Sequence, residues 1–191
     1  MKIVQGDILT FDGDAIVNPA NGHLRHGGGL ARIIECAAAR DFDIGGPYPG
    51  GVEKLQRDLA RHEGAVEKWH ADHRAAPLIP TGGAYVTSAG ALPLKGVIHA
   101  VGPIWGGGRY CEAALLSTAH RMALWNAWNE GWTRVALPAI SCGIFGYPVE
   151  RAAPIALAAA EFYEKRRGLE VSFYLFEDAH VEAYQRAWAR C

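Results

Sequence analysis

Short apolar runs bounded by glycine or turn residues alternate along this chain with longer stretches in which apolar positions recur every three or four residues. The first kind reads as strands: Lys2–Gln5, Asp14–Asn18, Ala84–Ser88, Gly96–Val101, Arg134–Pro138 and Glu170–Phe176. The second kind reads as helices: Leu30–Ala38, one or two surface helices within Val52–Arg74, Cys111–Glu130 with Gly131 just past its end, and Val149–Arg167. Pro154 is acceptable in that last helix only because it falls near the first turns. In the helix from Cys111 the spacing places Leu115, Thr118, Met122 and Trp125 on one face. Asp178 is expected to N-cap a final helix whose apolar side is Val181, Tyr184 and Trp188.

Strand–helix alternation over most of the length predicts an α/β layer architecture with a largely parallel sheet. In such sheets ligands sit outside the C-terminal ends of the strands. Two glycine-bearing loops fall there. Ala15–Asn18 runs into Pro19–Gly29 and a helix start, and Arg134–Leu137 runs into Pro138–Pro148. A glycine loop at a helix N-terminus suits an anion, because backbone N–H groups approach closely and the helix dipole favours negative charge. Asn18 and Asn21 flank the first loop and offer donors and acceptors suited to sugar hydroxyls.

Composition narrows the partners. The 191 residues fit a single domain, 1–191, with a looser, helical insert at about 40–80. Half are hydrophobic and the net charge is −1, so bulk attraction to nucleic acid or to an anionic membrane is not expected. No stretch has the length or apolarity of a membrane span. The four cysteines, Cys36, Cys111, Cys142 and Cys191, form no CxxC pair and read as reduced thiols of a cytoplasmic protein. His70 and His73 could meet at a metal, but a solvated helix face is the simpler account, and neither metal nor cofactor is expected. His99 lies in an apolar strand and reads as a satisfied core histidine; the six tryptophans read mostly as core, with Trp105 nearest the expected site.

Several segments in fixed order resemble the macrodomain family: Gln5–Ile8, Asp14–Asn21, His26–Ala31, Pro80–Ala84, Leu92–Pro103 and Leu137–Pro148. The resemblance implies a three-layer α/β/α sandwich with a mixed, largely parallel central sheet, and a site for ADP-ribose. It implies that Asp7 accepts from the adenine amino group with the Ile8 backbone nearby, and that Phe176 packs on the adenine face. Asn21 would hold the distal ribose, approached by Gly28 and Gly29. Ser141, Cys142, Gly143, Ile144 and Phe145 would wrap the diphosphate, and Phe145 would also lean on the distal ribose. Asn18, Ala20, Gly27, Leu30 and Pro138 complete the expected contacts, with Asn18 weighted toward a structural role.

The same resemblance implies hydrolysis of mono-ADP-ribosyl linkages, of the Asp or Glu ester type on protein, with Asn21, His26, Gly28 and Phe145 acting on the distal ribose. One hydrolase class carries an aspartate two positions after the third glycine, where this chain has Ala31. That substitution keeps in view a reader that binds ADP-ribose without chemistry; a hydrolase acting on ADP-ribosylated nucleic acid is a further alternative. The expected partner is ADP-ribose or a mono-ADP-ribosylated macromolecule, and the expected state is a monomer.

Overall fold

A computed structural model describes residues 1–25, 28–39 and 63–190. Its sheet is built from β1 (Lys2–Gln5), β2 (Ala15–Pro19), β3 (Ala84–Thr87), β4 (Gly96–Ala100), β5 (Arg134–Leu137) and β6 (Glu170–Leu175), in the order β1-β6-β5-β2-β4-β3. Every pairing is parallel except β3 with β4. The helices are α1 (Gly29–Ala39), α2 (Glu63–Ala75), α3 (Glu112–Asn129), α4 (Val149–Arg167) and α5 (Asp178–Trp188), with a 3-10 turn at Ile8–Thr10.

The layers follow from strand periodicity. The central strands are buried on both faces, so successive side chains go to opposite cores. Ala15 and Val17 of β2, Ile98 and Ala100 of β4, and Val135 and Leu137 of β5 join α3, α4 and α5 in the larger core. Their neighbours of opposite parity, Ile16, Val97 and Ala136, join Ile34 and Ala38 of α1 and Trp69 of α2 on the other face. The result is the expected α/β/α sandwich with a mixed sheet.

The structure departs from the sequence reading in four places. The inward face of α3 is Leu116, Ala119, Ala123, Leu124 and Ala127, not the stripe through Leu115 and Met122; Thr118 and Trp125 are exposed. The bulkier stripe loses because α4 presents Ala152, Ala153, Ala156 and Ala160, and two alanine-rich faces approach more closely than a face carrying Trp and Met. Trp69 and Trp132 are buried, but Trp125, Trp128 and Trp188 are about two-fifths exposed. Asp178 is not the cap of α5: Glu177 holds that position without a side-chain bond, and Asp178 accepts a hydrogen bond from the Gln5 side chain, tying α5 to the end of β1. His70 and His73 diverge, His70 to solvent and His73 against Trp69 and His99, with His73 Nδ1 2.9 Å from the Trp69 carbonyl. The expected helix start at Val52 and the site residues His26 and Gly27 lie outside the described residues.

Candidate functional site

Parallel strands bring their C-terminal ends to one edge of the sheet, and a cavity of about 720 Å³ lies there. Its wall is assembled from the ends of five strands. Gly6, Asp7 and Ile8 follow β1, and Phe176 and Glu177 follow β6. Pro138 to Ser141 and Gly143 to Phe145 follow β5, Ala20 and Asn21 follow β2, and Gly102 follows β4. Strand order therefore becomes spatial order along the cavity. From β1 to β2, by way of β6 and β5, is three strand spacings, or about 14 Å.

At the β1 end, Asp7 caps the 3-10 turn: its Oδ1 accepts from the Leu9 N–H at 2.9 Å. The second carboxylate oxygen takes no hydrogen bond among the described residues. Beside it Phe176 stands 82% exposed, a flat apolar face with no protein ring covering it among the described residues. Such exposure of a phenyl ring is costly in water unless a ligand covers it.

In the middle stands the loop after β5. Its turn is closed by Cys142 N–H to the Ala139 carbonyl (3.2 Å), Gly146 N–H to Gly143 (2.8 Å) and Tyr147 N–H to Ser141 (2.9 Å). Among the described residues no protein acceptor takes the N–H groups of Gly143, Ile144 and Phe145, so three successive donors border the cavity. Ser141 sits at φ +68°, and its hydroxyl is packed against Gly102 so closely that a Cβ on that glycine would lie 2.1 Å from it. Only glycine at 102 lets the β4 and β5 ends close together beneath the cavity. Trp105 does not line the cavity; it buttresses the loop from behind, its ring tilted against Tyr147 at 4.6 Å between centroids and its backbone N–H donating to the Phe145 carbonyl at 2.8 Å.

Facing this loop is the start of α1. Gly29 is in the left-handed region (φ +62°), and the site of its missing Cβ is 3.4 Å from Ile144 Cδ1. The two glycine loops thus meet across the cavity, with Ile144, 80% exposed, lying over the gap. The first turn of α1 carries no acidic residue, so its N–H groups and positive dipole end are not offset. No lysine or arginine lines the cavity among the described residues. An anion there would be held by backbone donors alone.

At the β2 end, Asn21 lines the cavity and is also committed to its own loop. Its Oδ1 accepts from His23 and Arg25 N–H at 3.1 and 3.2 Å, and its Nδ2 donates to the Arg25 carbonyl. With the oxygen doubly occupied, what Asn21 can offer a sugar is its second Nδ2 hydrogen. Two expected contacts are not on the wall. Asn18 is fully buried, and its Nδ2 lies 3.1 Å from His99 Nδ1. An amide nitrogen can only donate, so Nδ1 accepts and the proton is on Nε2, which reaches Thr87 Oγ1 at 2.9 Å; Thr87 in turn donates to the Ser88 carbonyl. This chain locks β2, β4 and β3 together below the site. Cys142 is likewise turned inward. Burial, then the nearby Glu177 carboxylate, pushes its thiol up to about 12, away from the range of a nucleophilic thiolate. Ala20, Leu30 and Pro138 are on the wall as expected.

Sequence reasoning missed Ile33, Gly102, Tyr174, Glu177 and His180, all of which line the cavity. Gly102 and Tyr174 lie beside residues already singled out, so position at a strand end could have found them. Glu177 adjoins Phe176 and could have been found in the same way; His180 carries no such signal, since only the packing of α5 turns it toward the site.

A model of the family described as "Macro domain" matches residues 58–156. The chain belongs to the macro domain family. Its curated relatives include a macro domain-containing protein of Caldanaerobacter subterraneus subsp. tengcongensis, 39% identical over 98% of this chain and 95% of that protein. They also include the O-acetyl-ADP-ribose deacetylase of Citrobacter rodentium, 38% identical over 97% of this macro domain and 93% of that enzyme. Among solved structures, the Oceanobacillus iheyensis macrodomain with ADP superposes at a TM-score of 0.76, with 31% identity over 98% of this chain and 89% of that one. No helix among the described residues is long and apolar enough to cross a membrane.

Proposed function

We propose that this macro domain binds ADP-ribose in the cavity and hydrolyses a carboxylic ester carried on the distal ribose. The observation that carries the reading is the linear order of the wall: a carboxylate and an open phenyl face at β1 and β6, three unused N–H donors at β5, and an asparagine at β2. A purine with an exocyclic amine, a diphosphate and a sugar have the same order. The cavity volume is in the range of small-molecule sites. A relative named for deacetylation of O-acetyl-ADP-ribose supports ester chemistry. An acetyl ester and a Glu- or Asp-linked ADP-ribosyl ester present the same bond type, and the resemblance implied the second.

In the mechanism we favour, no side chain attacks. Asn21 orients the distal ribose through its Nδ2 hydrogen, while Gly28, Gly29 and Phe145 press the sugar toward a water. The water adds at the ester, its proton passes to a substrate phosphate oxygen or to His26, and a carboxylic acid leaves with free ADP-ribose as the second product. Positioning of water and ester supplies most of the rate. Asn21→Ala should lower turnover by about a hundredfold, with a much smaller change in ADP-ribose affinity. The purified chain is assayed for free ADP-ribose release from O-acetyl-ADP-ribose and from Glu-, Ser-, Arg- and nucleic-acid-linked ADP-ribose. Release from the ester substrates alone supports the reading. Unchanged turnover in Asn21→Ala would remove the role given to that residue. A second reading, a module that binds without catalysis, is favoured by Ala31, a methyl group on the cavity wall where one hydrolase class places a carboxylate. Tight ADP-ribose binding with no release from any substrate would establish it instead.

A further inference from the structure

Between the base end and the diphosphate loop of the cavity stands the end of β6, since β6 lies between β1 and β5 in the sheet. The wall there is Glu177 and, one turn along α5, His180. The two side chains face each other, His180 Nε2 lying 3.7 Å from Glu177 Oε2, with the imidazole largely buried and the carboxylate open to solvent and the cavity. Glu177 is also close enough to Cys142, on the β5 loop, for its charge to act there.

Resting on the ADP-ribose reading above, we propose that Glu177, backed by His180, receives the 2′-hydroxyl of the adenine-side ribose and makes the site reject a ribose that carries a phosphate there. A ribose joining a base near Asp7 to a diphosphate near Gly143 passes over the β6 end. A carboxylate accepts from sugar hydroxyls, as acidic residues do that read an unphosphorylated nucleotide ribose in other α/β folds. A phosphate at the same carbon brings like charge against Glu177, and the His180 imidazole beside it is already turned toward that carboxylate. The α5 N-terminus does not rescue it, because Glu177 and Asp178 already supply negative charge to that dipole end, and no lysine or arginine lines the cavity among the described residues.

The test is calorimetric titration of ADP-ribose and ADP-ribose 2′-phosphate into the wild-type chain, Glu177→Gln and Glu177→Lys. The wild type should bind the 2′-phosphate about tenfold or more weakly than ADP-ribose. Glu177→Gln should shrink that ratio to about threefold or less, and Glu177→Lys should abolish or invert it. The readout is the ratio of the two affinities, which a general loosening of the site would not move. Equal wild-type affinities, or a ratio unchanged in both variants, overturns the inference while leaving ADP-ribose binding intact. A wild-type chain that binds neither nucleotide overturns the functional reading itself.

Discussion

The same three strands, β4, β2 and β5, end in opposite ways at their two poles. At the N-terminal pole one side chain gathers donors from both neighbouring strands. Asp14, just before β2, takes hydrogen bonds from Thr133 N–H (2.7 Å), Thr133 Oγ1 (3.1 Å) and Arg134 N–H (3.0 Å), and pairs with Lys95 at 2.7 Å. Its own backbone completes the clamp, with Asp14 N–H to the Arg134 carbonyl and Lys95 N–H to the Asp14 carbonyl. One residue thereby fastens the starts of all three strands. At the C-terminal pole the ends of those strands are left open around the cavity, with three N–H groups of the Gly143–Phe145 turn unused. Polar groups satisfied within the fold stabilise it, whereas polar groups held ready for a ligand do not. The contrast implies that stability and binding in this protein can be perturbed separately.

The largest expected effect is at the open pole. A Cβ at Gly143 would meet nothing within 4 Å, so Gly143→Phe should fold normally while placing a ring in the anion-binding turn. ADP-ribose affinity should fall by about a hundredfold or more, with an unchanged melting temperature; calorimetry showing wild-type affinity would dissolve the contrast between the poles.

At the closed pole the expectation reverses. Asp14→Asn should cost on the order of 1–3 kcal/mol at neutral pH, read by denaturant unfolding, and leave ADP-ribose affinity alone. Burial raises the Asp14 pKa somewhat, but the Lys95 pair and the Thr133 and Arg134 hydrogen bonds outweigh it and hold the carboxyl well below the usual carboxylate range. The sign follows from that direction. A carboxylate with a depressed folded pKa contributes its stability in full above its unfolded value, near 4, and loses it as pH falls through and below that value. The difference between wild type and Asp14→Asn should therefore be constant from about pH 5 to 8 and shrink progressively below about pH 4; a difference independent of pH down to the acid limit would show that the clamp acts through shape and not charge.

The smallest expected effect sharpens the site itself. Cys142 lies next to the donor turn but faces inward as a protonated thiol. Cys142→Ala should change turnover by less than about twofold, and iodoacetamide should leave the turnover of the wild-type chain unchanged. A collapse of activity would return a nucleophile to the mechanism.

What could be read without coordinates was what is local. Alternating apolar runs gave the strands and their buried character, because side-chain direction in a strand depends only on parity. Glycine-bearing loops at strand exits marked the anion-binding pole, because backbone approach requires the missing Cβ. The fastening role of Asp14, in the sequence only the first residue of a strand, was not legible, since its partners lie some 80 and 120 positions away in Lys95 and Thr133–Arg134. The face of α3 was misread for a related reason: local spacing admits two apolar stripes, and only the alanine face of α4 decides between them. Asn18, which follows buried strand residues, could be weighted toward a structural role and apart from Asn21 by position alone; the partner that holds it, His99 on the neighbouring strand, could not be read locally.

By itself, then, the chain determined its layers and the type of chemistry at one sheet edge, both consequences of spacing and of which residues lack side chains. Tertiary structure alone decided the order in which those groups face a ligand and the arrival of Glu177 and His180 beside them. It also decided that the opposite edge is clamped shut. The physical reason is that hydrogen-bond partners and helix orientation are set by strand order, and strand order is settled by long-range packing that no short window of sequence contains.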